Sequence, residues 1–63
     1  MKPRSRAILH DVLGYLENAR GRVQELILLT ELNGNEDGEL EHLISLRDGI
    51  DSNIIFINKL RVQ

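Results

Sequence analysis

His10 and His42 are the two histidines of the chain, and Asn33-Gly34-Asn35-Glu36-Asp37-Gly38 is its one stretch dense in oxygen ligands. Imidazole serves as a general base or a metal ligand near neutral pH, and oxygen-rich turns hold calcium. The turn follows the opening of an EF-hand loop at Asn33, Asn35, Asp37 and Gly38. The pattern breaks at both ends: the first ligand is the neutral Asn33, and the twelfth position, where a bidentate Glu should complete the coordination, is Ile44. The same residues are accounted for as a helix stop, a turn and a helix start. Each histidine stands near the start of its own helical segment, so in a folded-back chain they lie at opposite ends and cannot share a metal. No nucleophile is paired with a base, and the acidic turn cannot cradle phosphate. No catalytic residue, metal or cofactor is expected, and the chain reads as a non-enzyme.

The elements around these residues are two amphipathic helices. Leu9, Val12, Leu16, Ala19, Val23 and Leu26 follow one another in steps of three and four, an a/d stripe widened by Ile8, Leu13, Tyr15 and Ile27. With Ser5 as N-cap and Asn33-Gly34 as the stop, helix 1 is predicted at about 5–32. Asn35 or Asp37 is placed to cap a second helix at about 37–61, whose apolar residues are Leu40, Leu43, Leu46, Ile50, Ile54, Ile57 and Leu60. Glu36, Asp37 and Glu39 at its start and Lys59 and Arg61 at its end suit the helix dipole. The fold class is therefore all-α: an antiparallel two-helix hairpin forming one domain over residues 1–63, with a flexible basic N-terminus at 1–4 and an interhelical turn at 33–37. Antiparallel register then sets Leu26 near Leu43, Val23 near Leu46 and Arg47, Ala19 near Ile50, Leu16 near Ile54 and Val12 near Ile57. The layer at Ala19, with Gly49 beside Ile50, invites close approach of the helices.

A 63-residue chain without cysteines has neither disulfides nor thiolate metal sites to reinforce a small core. Dimerisation or a helical partner is the expected remedy. Helix 2 carries more apolar surface than one facing helix covers: Ile44, Ile55 and Val62 fall on one flank of its stripe, Phe56 and Leu60 on the other. Leu28, Leu29 and Leu32 of helix 1 also lie off its stripe. The candidate partner-binding residues are Ile44, Ile54, Ile55, Phe56, Leu60, Leu28 and Leu29, because contiguous apolar patches on small proteins mark interfaces. Substituting Asp at Ile55 or Phe56 is expected to abolish association more than helicity. Gly14, Gly21 and Gly49 sit in helix interiors, each weakening the helix by about 1 kcal/mol relative to Ala; Gly14 and Gly21 are read as outward-facing.

The net charge of −2 lacks the basic footprint of a dedicated nucleic-acid binder, although Lys2, Arg4 and Arg6 cluster at the start and Arg20 and Arg22 follow. The longest apolar runs, Leu26 to Leu29 and Ile54 to Ile57, are far short of a membrane span. His10, Asp11, Gly14 and Glu17 interrupt any signal-like apolar region. A cytoplasmic location is the expectation.

Two families share parts of this layout. In length, hairpin form and the run Ile50-Asp51-Ser52-Asn53-Ile54-Ile55-Phe56-Ile57, the chain resembles the small two-helix co-chaperones of bacterial type III secretion systems. That resemblance implies a protein that, with a larger helical chaperone, keeps a needle subunit from polymerising. In length and in Leu28-Leu29-Thr30-Glu31-Leu32-Asn33 and Ser45-Leu46-Arg47-Asp48, it is similar to the plasmid copy-number proteins, dimeric four-helix bundles that bind paired RNA loops. Where that family reads RNA with basic residues and an aromatic, this chain has His10, Glu17, Asn18, Gly21 and Glu25. The leading expectation is a cytoplasmic co-chaperone. A homodimeric four-helix-bundle regulator of RNA or transcription is the alternative, and an antagonist offering helix 2 to a groove of another protein is a third.

Overall fold

The computed structural model describes residues 1–62 and consists of two helices, α1 (Pro3–Leu32) and α2 (Leu40–Arg61), folded back into an elongated hairpin of 48 × 14 × 12 Å. α1 begins two residues before the expected Ser5 cap. Proline at the first helical position already has helical φ and has no N–H to leave unpaired, so Pro3 starts the helix behind Lys2 without a side-chain cap.

The end of α1 is built by Gly34 and Asn35. Both take the left-handed conformation, with φ of 79° and 54°. This turns the Gly34 N–H onto the Glu31 carbonyl (3.1 Å) and the Asn35 N–H onto the Thr30 carbonyl (2.9 Å), a Schellman closure that satisfies two otherwise unpaired carbonyls. The Asn35 side chain then looks forward: its Oδ1 accepts the Leu40 N–H at 3.1 Å, so one residue closes α1 and caps α2. Asp37 does not take the capping role that was open to it. The expected start of helix 2 near residue 37 is also corrected to Leu40, because Gly38 is left-handed at φ 67° and interrupts helical backbone. Asn35→Ala should therefore lose both a cap and a tolerated left-handed residue, together about 1–3 kcal/mol. Asn35→Gly should lose only the cap, and urea unfolding of the two variants separates the contributions.

The interhelical bonds of Arg20 and Arg47 mark the register. Arg20 Nε meets Asp51 Oδ1 at 2.5 Å, and Arg47 Nη1 donates to Gln24 Oε1 at 3.2 Å. This alignment sets Leu13 level with Ile57, Leu16 with Ile54 and Ile27 with Leu43. Leu13, Ile27 and Ile57 are the buried core residues, 6%, 2% and 8% exposed. Leu9, Leu16, Val23, Thr30, Leu40, Leu43, Ile50 and Ile54 are half-buried around them. The Thr30 hydroxyl donates to the Leu26 carbonyl at 2.8 Å, leaving its methyl group for the seam.

The seam of α1 is thus Leu9, Leu13, Leu16, Val23, Ile27 and Thr30, with half-buried Ala19 at one edge and exposed Arg20 at the other, so the expected stripe through Val12 and Leu26 is turned by about one residue. Val12 and Leu26 are exposed, as is Leu46, so these three stand off the seam, while the expected levels of Leu16 with Ile54 and Val23 with Arg47 agree with the Arg20–Asp51 and Gln24–Arg47 bonds. The turned stripe buries Leu13 and Ile27 in place of Val12 and Leu26 and leaves Arg20 and Gln24 at the edge of the seam, where they meet Asp51 and Arg47. Nor does Gly49 mediate helix approach within the hairpin, since a Cβ built there meets nothing within 4 Å.

Candidate protein-docking face

The Arg20–Asp51 and Gln24–Arg47 bonds mark one flank of the hairpin as polar. In an antiparallel pair with this register, the other flank receives Val12, Ala19 and Leu26 from α1 and Leu46, Asn53 and Leu60 from α2. One step further from the seam stand Ile8, Tyr15 and Leu29 on α1 and Gly49 and Phe56 on α2. Along α1 the positions Ile8, Val12, Tyr15, Ala19, Arg22, Leu26 and Leu29 alternate by four and three, a second helical stripe about 110° round from the seam. That angle suits a helix with two neighbours at right angles, as in a four-helix bundle.

The flank is solvent-facing. Tyr15 and Phe56 are 71% and 61% exposed, and Ile8, Val12, Leu26, Leu29 and Leu46 are exposed as well. Its polar interruptions are mild. Arg22 turns toward Glu25, pairing at 3.2 Å, and Asp11 beside Tyr15, His42 and Asn53 are the others.

The seven partner-binding candidates do not form one surface. Ile54 is half-buried in the seam, and Ile44 is half-buried on the polar flank. Leu28 and Ile55 are exposed on the polar-flank side, whereas Leu29, Phe56 and the half-buried Leu60 belong to the apolar flank. Residues adjacent in a helix diverge by about 100°, which parts Leu28 from Leu29 and Ile55 from Phe56. Leu28 and Leu29 lie toward the turn, about 20 Å along the hairpin from Ile55 and Phe56. Val12, Tyr15, Leu26 and Leu46, which complete the apolar flank, were absorbed into the expected stripes. The second four-and-three alternation through α1 is the signal that picks out Val12, Tyr15 and Leu26.

The chemistry-bearing residues remain apart. His10 lines a shallow hollow with Arg6 and Arg61, and His42 lies in the first turn of α2. Glu36, Asp37 and Glu39 border a hollow at the turn with Thr30 and Asn33. Among the described residues, no group of three or more His, Cys, Asp or Glu side chains comes together as a metal site, and no helix is long and apolar enough to cross a membrane. No protein-family model, curated protein or solved structure matches this chain.

Proposed function

We propose that the chain is a non-enzymatic protein-binding hairpin that acts by burying its apolar flank against the helices of another chain, in the manner of a small co-chaperone. One observation carries this reading: exposed apolar side chains of both helices run along one flank, while on the opposite flank exposed Leu28 and Ile55 are separated by the Arg20–Asp51 and Gln24–Arg47 bonds. At ~25 cal/mol per Å² of apolar surface, covering Tyr15, Leu26, Leu46 and Phe56 contributes several kcal/mol, comparable to the whole stability of so small a fold. The co-chaperone form of the reading makes the partner a helical chaperone, each chain covering apolar surface of the other. The charge pattern favours protein over nucleic acid as the target, since Lys2, Arg4, Arg6, Lys59 and Arg61 gather at one end and Arg20, Arg22 and Arg47 are each beside an acid and form no basic stripe along a face.

The test is retention of a discrete partner on the tagged chain expressed in its source cells. Wild type and Ile55→Asp should retain it, and Leu46→Asp and Phe56→Asp should lose it with helicity intact by circular dichroism. Equal retention by all four proteins overturns the assignment of the flank.

A further inference from the structure

We infer that, before any other partner is met, the apolar flank is covered by a second copy of the chain packed head-to-tail, the turn of each hairpin beside the chain ends of the other. The inference rests on the reading of this flank as a docking surface and names its occupant.

Charge selects the occupant and its direction. The end of the hairpin that holds the chain ends carries Lys2, Arg4, Arg6, Lys59 and Arg61, opposed there by Asp11. The turn end carries Glu31, Glu36, Asp37, Glu39 and Glu41, and no Lys or Arg occurs between Arg22 and Arg47. The molecule is therefore a rod with one positive and one negative end. Two such rods side by side attract when antiparallel and repel when parallel. A twofold axis perpendicular to the rod produces the antiparallel arrangement, and such axes generate the commonest oligomers.

The surface area agrees. The chain exposes 4980 Å², whereas a compact monomer of 7.2 kDa exposes about 4100 Å². The surplus, roughly 900 Å², comes from the elongated shape and leaves enough surface for the ~800 Å² that each partner hides in a standard interface.

The relief of the flank is also self-complementary. Ala19 and Gly49 form a low waist near the middle of the paired region, and the Cβ position of Gly49 opens to solvent. A twofold axis through the waist sets waist on waist and lays the Tyr15–Phe56 end of each copy over the Leu26–Leu46 end of the other. All neighbouring helices are then antiparallel, as in a four-helix bundle.

The experiment is the solution mass of the purified full chain over a micromolar range, by sedimentation or light scattering, at about 50 mM and about 500 mM salt, with a thermal melt alongside. The expected mass is twice 7.2 kDa, with dissociation several-fold easier at high salt. The Lys59→Glu/Arg61→Glu and Glu39→Lys/Glu41→Lys variants should each dimerise several-fold more weakly, and an equimolar mixture of the two should recover a tight pair. Phe56→Asp should yield monomer and Ile55→Asp should not. A dimer that tightens with salt overturns the head-to-tail direction. Monomer at every concentration with a shallow, uncooperative melt overturns the second copy and leaves the flank awaiting a different protein. A cooperative, stable monomer overturns both the second copy and the docking surface, as does a dimer lost with Ile55→Asp but kept with Phe56→Asp.

Discussion

Ile27→Ala should unfold most of the protein at room temperature. Ile27 is the most deeply buried side chain, 2% exposed, one turn from the end of α1 and level with Leu43. Truncating a buried Ile costs about 2–5 kcal/mol, from lost transfer energy and from the cavity left behind. A core of this size supplies only about 3–5 kcal/mol in total, so the substitution consumes nearly all of it. Circular dichroism at 222 nm should show loss of most helical signal in Ile27→Ala. Val12→Ala, one of the expected core positions that proved exposed, should leave the signal close to wild type. Similar behaviour of the two variants would mean that α1 is turned toward α2 by its other stripe.

The largest gain is expected from filling two glycine positions. Gly14 and Gly21 stand on the exterior of α1, and a Cβ built at either meets nothing within 4 Å. Replacement by Ala removes the excess backbone freedom of the unfolded chain without crowding any neighbour, worth about 1 kcal/mol at each site. The sites are seven residues apart and share no partner, so the effects should add. For a domain this small each kcal/mol raises Tm by about 4–8 °C, so Gly14→Ala/Gly21→Ala should melt roughly 8–16 °C higher. A melt unchanged or lowered would show that these positions are occupied by something other than solvent.

The hairpin itself was legible in the sequence because two independent signals agree. Apolar residues alternate by three and four through both segments, and between them NGNEDG offers a left-handed stop and a cap with no room for another element. What was not legible is the rotation of α1. Val12 or Leu13, Ala19 or Arg20, and Leu26 or Ile27 offer two stripes of nearly equal hydropathy, and a single-helix pattern cannot choose between them. The choice is made across the interface, where one rotation buries Leu13 and Ile27 against α2 and sets Arg20 and Gln24 beside Asp51 and Arg47, a long-range match that periodicity within one helix does not contain. The start of α2 was misplaced for a local reason, since Gly38 reads equally well as a turn residue or as a poor first helical residue. The candidate site suffered from linear proximity: Ile55-Phe56 and Leu28-Leu29 look like patches along the chain, yet the helical twist sends the members of each pair to different flanks.

Arg20 and Arg47 contribute little to stability where they stand, each being partly solvated and so only weakly strengthened by its partner. Their weight falls on the misaligned chain. If α2 slid along α1 by one heptad, Arg20 would lie level with Leu43 or Ile57 and Arg47 with Leu16 or Thr30, and Asp51 and Gln24 would be out of reach. Each guanidinium would then lose its partner across the seam and turn to water, its stem lying along aliphatic carbon. A uniformly leucine-lined hairpin of this length would tolerate several such slips at similar energy. The two arginines give up some adhesion and in return favour the one alignment in which both find their partners.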